Sequence, residues 1–153
     1  MGVSPKFGNW FVAAVVDKFQ ERLESATLLT LKYLGESLAK YAKDNHTYTD
    51  QTGNLTNSIG YAVVRGKELV FYSESQPGVG ANTALQTALK MARSCSSAYS
   101  LIIVAGMNYA AYVEAKGYNV ILPAELKSKR DFPAAMAKLK AKAEGKAKEL
   151  FGL

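Results

Sequence analysis

YTDQTGNLTNSIGYAVV, residues 48–64, sets a turn and a strand pattern side by side. The polar run Thr52-Gly53-Asn54 is turn chemistry, and Ile59, Tyr61 and Val63 then alternate with smaller or polar neighbours, the period-two signature of a strand. Glycine reaches positive φ without steric penalty, so Gly53 is expected to take that conformation at the loop exit. Asn54 is expected to fix the turn by bonding its own backbone. Leu55 and Ile59 would then hold the strand against whatever precedes it. No group in the stretch has catalytic reactivity, so its role is read as geometric.

What precedes it is helical. From Trp10 to about Lys43 there is no proline and Gly35 is the only glycine, which marks a bend. Val12, Val15, Val16, Phe19, Leu23, Ala26 and Thr30 recur at helical spacing, and Leu34, Leu38 and Tyr41 continue the stripe. The spacing predicts one long amphipathic helix over 10–43, with Lys18, Glu21, Arg22, Lys32, Glu36 and Lys40 on its other face. Downstream, Arg65-Gly66-Lys67 turns the first strand into a second, Leu69 to Tyr72. A loop, ESQPGVGAN, leads to a short helix within 82–96, where Thr83 and Gln86 have capping-box spacing. AYSLIIVAGM reads as a buried strand, Asn108 as the cap of a short helix ended by Gly117, and YNVIL as a final strand. Pro123 opens a C-terminal helical segment, 124–151, striped by Phe132, Met136, Leu139, Ala143, Ala147 and Leu150. The order of elements gives an α+β class: a long N-terminal helix packed on a small, mostly antiparallel sheet within 55–122, plus a basic amphipathic C-terminal helix, all in one domain of 153 residues.

Composition narrows the function classes. Hydrophobic content of 48% with 21% charged residues is that of a globular protein rather than a disordered one. No run approaches a membrane span, and MGVSPKFGNW lacks the basic-then-apolar layout of a secretory signal and the serine or threonine of a myristoylation site. One cysteine, Cys95, excludes an intrachain disulfide, and with the one histidine, His46, it leaves too few N and S ligands for a zinc site. An intracellular folding compartment is expected. His46 reads as a loop residue and Cys95 as a structural thiol, since neither has a visible base, nucleophile or orienting partner. The carboxylates Asp44, Asp50, Glu68, Glu74, Glu114 and Glu125 are scattered, so no catalytic, metal or cofactor constellation emerges. PGVGANTALQ puts glycines ahead of a helix but lacks the Gly-Lys-Ser/Thr ending of a nucleotide loop.

The net charge of +6 is concentrated. Lys127, Lys129, Arg130, Lys138, Lys140, Lys142, Lys146 and Lys148 outnumber Asp131, Glu144 and Glu149 by five between positions 127 and 149. These lysines either flank an apolar stripe and keep it soluble, or contact DNA phosphates without sequence preference.

YTDQTGNLTNSI after a long helix, followed by IIVAGMNYAAYVEAKG, together resemble the tail-completion, or head–tail joining, proteins of long-tailed bacteriophages, also described as minor tail components. Thr52, Gly53, Asn54, Leu55, Ser58 and Ile59 match that family's Thr-Gly-x-Leu-x-x-Ser-Ile element. Tyr109, Ala110, Tyr112, Val113, Glu114 and Gly117 match its Tyr-Ala-x-Tyr-Val-Glu-x-Gly element, with one extra residue before the glycine. The resemblance covers roughly residues 25–123, and residues 75–97 stand as an insertion against it. It implies a non-enzymatic virion protein in a ring of sixfold or twelvefold symmetry at the neck, present in the host cytoplasm during assembly. The ring would bind the portal-side connector and the tail tube or terminator around the DNA channel. Tyr109, Ala110, Tyr112, Val113 and Glu114 would supply subunit contacts, and the basic helix a contact to DNA or an acidic partner. The reading from residues alone keeps an alternative open: a small cytoplasmic protein that binds double-stranded DNA through that helix.

Overall fold

Leu31, Leu34, Leu38 and Ala42 are buried at three- and four-residue intervals along α1 (Asn9–Asp44), and this stripe is what the sheet packs against. The computed structural model describes residues 9–50, 52–73, 80–107 and 109–152. Asn108, expected as a helix cap, and residues 74–79 of the glycine-bearing loop lie outside them. The fold is α+β, in the order α1, α2 (Asn54–Asn57), β1 (Ile59–Arg65), β2 (Glu68–Tyr72), α3 (Ala81–Ser94), β3 (Tyr99–Ala105), α4 (Ala110–Ala115) and α5 (Leu122–Phe151). The strands form one antiparallel sheet, β2-β1-β3.

The central strand explains the layering. Six of the seven residues of β1 are buried, so both faces of the sheet are covered. Ile59, Tyr61 and Val63 face α1, whereas Ala62 and Val64, with Ile102 and Val104 of β3, face α3. Residues Ala84, Ala88 and Ala92 recur every four positions on α3 and are fully or almost fully buried. Small side chains along one ridge let that helix lie close to the sheet. The segment read from sequence as an insertion therefore closes the second half of the core.

Gly35 lies within an unbroken α1, and its buried position faces the Tyr61 ring, which occupies the space a Cβ would need. Its use is close approach. Tyr61 in turn packs on Phe71 of β2 with ring centroids 5.7 Å apart, and Lys32 reaches over Phe71 at 4.4 Å.

α1 and α5 run antiparallel, since Lys127 lies over Tyr41 at one end and Phe19 meets Phe151 edge-on at the other. Beyond the sheet the pair continues as a two-helix arm. Among the described residues, none before Thr27 in α1 and only Ala124 in α5 is buried. Two helices alone cannot enclose a full stripe, so the expected apolar run of α1 is exposed at Val12, and that of α5 at Phe132 and Leu150. At the sheet end the helical phase favours Ala42 over Tyr41, which is exposed.

Three local expectations are corrected. Thr83 and Gln86 form no capping box, because α3 starts earlier, after Gly80 at φ 97°, and Thr83 already sits inside it, where its carbonyl accepts the Thr87 hydroxyl. YNVIL forms no strand: Leu122 begins α5, and the backbone ahead of it bonds a side chain. The turn element opens a helical turn, α2, before the strand rather than the strand itself.

Candidate assembly surface

Gly53 has φ 74°, the positive value expected of it; it stands directly before α2, and its carbonyl accepts the Asn57 N–H at 2.9 Å. The side chain that fixes the turn is Thr52, whose hydroxyl accepts the Asn54 N–H at 3.3 Å, and not Asn54. Leu55 is buried and belongs to the core cluster that holds Leu31, Leu34, Leu38 and Tyr48, so α2 is anchored in the core. Ser58 is buried as well. Its hydroxyl donates to the Leu55 carbonyl at 2.7 Å and accepts the Gly106 N–H at 3.0 Å, tying α2 to the end of β3.

Two residues outside the expected motif complete the loop. Asp50 accepts the Thr56 N–H at 2.8 Å, and the Tyr48 hydroxyl shares a 2.9 Å hydrogen bond with the Thr56 hydroxyl. Burial alone would raise the Asp50 carboxyl, but the N–H and hydroxyl of Thr56, with the N–H groups of Leu55 and Gly53, hold it below the ordinary value. Asp50 thus accepts at the start of a one-turn helix, the pattern of an N-terminal cap, although its sequence position gave no cap spacing. A depressed native pKa means the charge adds stability above the unfolded pKa of about 3.9, which is lost as pH falls through the folded value. The stability advantage of the natural chain over Asp50→Asn, measured by denaturant titration, is expected to be full near neutrality. It should shrink as pH drops below about 4.

The second motif meets the first at Tyr48. Tyr48 is buried in the same cluster as Leu55, Ala110 and Val120, with Val113 packed against it, and its phenol is pushed up by burial, opposed by its bond to Thr56. The Thr47 hydroxyl accepts the Asn119 N–H at 2.9 Å across the same junction. His46 stacks on the Tyr48 ring at 4.4 Å and hydrogen-bonds the Tyr48 carbonyl through Nδ1, so it belongs to the loop's internal packing. Cys95 is half-buried beside the α3 core.

The five expected contact residues of the second motif divide. Ala110 and Val113 belong to the core; Tyr109 and Tyr112 are exposed, Tyr112 by 64%, and Tyr118 joins them on the surface. Glu114 points inward along the chain. Its Oε2 accepts the N–H groups of Val120 and Ile121 at 2.8 and 3.0 Å, and its Oε1 accepts that of Leu122 at 2.9 Å. The carboxylate therefore caps the start of α5, where Gly117 at φ 87° turns the chain back.

The eight basic residues also divide. Lys127 is half-buried and bridges Asp131 while lying over Tyr41; Arg130 pairs with Asp131 as well. Lys129, Lys140 and Lys146 have i,i+3 or i,i+4 acidic partners, exposed pairs that each contribute at most about 0.5 kcal/mol and stay open to outside ligands. Lys138, Lys142 and Lys148 have no acidic partner among the described residues. On the arm, Arg22 of α1 joins Lys142 and Lys146 around a shallow seam of about 160 Å³ lined by Phe19, Leu23 and Leu139. Arg22 was read from sequence only as part of a polar face. At the arm's free end Trp10 is 76% exposed.

Among the described residues no helix is long and apolar enough to cross a membrane, and no three His, Cys, Asp or Glu side chains gather as a metal site. Comparison with protein-family models, curated proteins and solved structures gives no match.

Proposed function

We propose that this chain is a structural virion component of a tailed phage, a non-enzymatic subunit of the ring that joins head to tail at the neck. The observation that carries the reading is the junction at Tyr48. Two motifs some fifty residues apart in sequence, the ones that bear the resemblance, share one core cluster with Tyr48, which also hydrogen-bonds Thr56, and the second presents Tyr109 and Tyr112 to the outside, beside Tyr118. At the opposite end of α1 the helical arm offers a different surface, apolar at Trp10 and basic along α5. Closed rings form from heterologous contacts, which need two unlike patches on each subunit. Exposed tyrosines and tryptophan are the residue types enriched at such contacts. The partners of the ring would be the portal-side connector, the tail tube or terminator, and DNA in the channel.

The test is assembly. Purified chain supplied to tail-less heads and free tails is expected to support joining, and Gly53→Val to fail at it while remaining folded. A β-branched side chain at positive φ costs about 1–2 kcal/mol, too little to unfold a domain but enough to distort the turn. Normal joining by Gly53→Val would remove the turn from the account.

One observation favours a second reading, a small cytoplasmic protein that binds double-stranded DNA without sequence preference: the gathering of Arg22, Lys142 and Lys146 on the arm. That reading predicts affinity that falls steeply with salt and is lost with Lys138, Lys142 and Lys148 changed to Gln. Salt-insensitive retention by protein partners supports the neck reading instead.

A further inference from the structure

Both helices of the arm carry a basic row beside the same seam. Lys18 and Arg22 are four residues apart on α1, and Lys138, Lys142 and Lys146 are four apart on α5, so each set stacks along one side of its helix. Arg22, Lys142 and Lys146 line the seam itself, which puts one row on each of its walls. All five residues are exposed. Among the described residues Lys146 has an acidic partner, Glu149 at 3.3 Å, whereas Lys18, Arg22, Lys138 and Lys142 have none.

The other carboxylates of the arm are directed away. Asp17, Glu21 and Glu24 recur at four and three residues and form a separate row of α1, whose direction is shown by Glu24, paired with Arg65 of β1. On α5, Glu144 lies 3.9 Å from Lys140. Like charges four residues apart on a helix repel. The two rows therefore weaken the arm that bears them until an anion lies between them.

Between the rows the floor is apolar, built by Phe19, Leu23 and Ala26 from α1 and by Leu139, Ala143 and Leu150 from α5. From Leu139 to Leu150 it runs about 16 Å, or three helical turns. Its volume of about 160 Å³ matches a cavity that takes one benzene ring, so it seats a single leucine-sized or ring-sized side chain. Phe19, Leu23 and Leu139 are half-buried and the cations around them exposed, so the floor is recessed. A DNA backbone, or a flat anionic bilayer, would meet the cations and leave the floor in water. A ridge of apolar side chains with carboxylates on both flanks meets floor and walls together, and that is the surface of an amphipathic helix with acidic edges.

We infer that the seam is the docking site for an acidic amphipathic helix of a partner protein, which lies between α1 and α5 and completes a three-helix bundle. Its apolar ridge covers Phe19, Leu23 and Leu139. Carboxylates on one flank face Lys18 and Arg22, and those on the other face Lys138, Lys142 and Lys146. The inference does not rest on the neck reading, because it specifies what the arm holds in whatever assembly the chain joins. It assigns the cation rows to protein rather than to DNA.

The probe is a designed three-heptad helix with Leu at a and d and Glu at e and g, titrated against the full chain by calorimetry at about 0.15 M salt. One peptide per chain is expected to bind, and a counterpart with Lys at e and g is expected not to. Arg22→Gln combined with Lys142→Gln should weaken binding about tenfold, the effect of losing two ion pairs at the upper range for exposed positions. Arg22→Glu combined with Lys142→Glu should reverse the preference and bind the Lys peptide, a gain that a misfolded arm cannot produce. No binding of the Glu peptide, or equal binding of both peptides, overturns the proposal. Displacement of the Glu peptide by a DNA duplex or by vesicles of anionic phospholipid does the same. So does a chain already dimeric in sedimentation whose dimer excludes the peptide, because a second copy then covers the seam.

Discussion

Gly35→Val is expected to lower stability by about 3 kcal/mol, the upper range for forcing volume into a packed core, and to lower Tm by roughly 6–12 °C for a chain of this size. The cause is the Tyr61 ring, which lies where a side chain at position 35 would sit, in the contact between α1 and β1. Tyr61 cannot swing clear easily, because it is 4% exposed and packed on Phe71. Gly145 in α5 provides the opposite case. Nothing lies within 4 Å of a Cβ built there. Gly145→Ala is expected to stabilise the chain by up to about 1 kcal/mol through helix propensity alone. Paired thermal melts of the two variants should therefore move in opposite directions. Equal shifts would mean that α1 does not approach the sheet as closely as described.

Glu114→Ala is expected to be nearly as damaging, at about 3 kcal/mol. It removes the acceptor for three backbone N–H groups at once, and that of Val120, 1% exposed, has no route to water. Hydrogen bonds to a charged group contribute about 1.5–3 kcal/mol each when removal leaves a buried partner, and the more exposed Leu122 less. Glu114→Gln keeps the acceptor oxygen of the amide and should fall between the two. Amide exchange gives a sharper signature than the melt: protection should be lost first at residues 120–122 and the opening turn of α5. Uniform loss across the chain would show that the carboxylate is not a local cap.

The sequence exposes these features unevenly, and the physics says why. Helical periodicity over thirty residues marks α1 and α5 to within a residue or two, and β-branched composition marks β1 and β3. The hairpin is visible in Arg65-Gly66-Lys67. The role of α3 is harder to see, because burial there falls on Ala84, Ala88 and Ala92; alanine is neutral in an apolar pattern, and only the four-residue repeat betrays the face. YNVIL has strand composition, and what decides its conformation is Glu114, a long-range acceptor that no local rule anticipates. Ser58 and Asp50 are similar cases, since their partners Gly106 and Thr56 become evident only when the loop closes. At the candidate surface, Gly53 is legible from its turn context, and Tyr109 and Tyr112 from their composition. The inward turn of Val113 and Glu114 depends on how α4 sits against Tyr48, which spacing alone does not encode. The mix of paired and unpaired lysines on α5 is partly readable from i,i+4 spacing, but their meeting with Arg22 requires the antiparallel arm.

Quantitative mass spectrometry of intact virions purified from the strain that encodes this chain tests the central claim most directly. The account predicts the chain in every virion at a fixed low copy number, about six or twelve, as a cyclic ring at a single joint requires. Its absence from intact virions, with the protein recovered from the cytoplasm on DNA, would contradict the neck assignment.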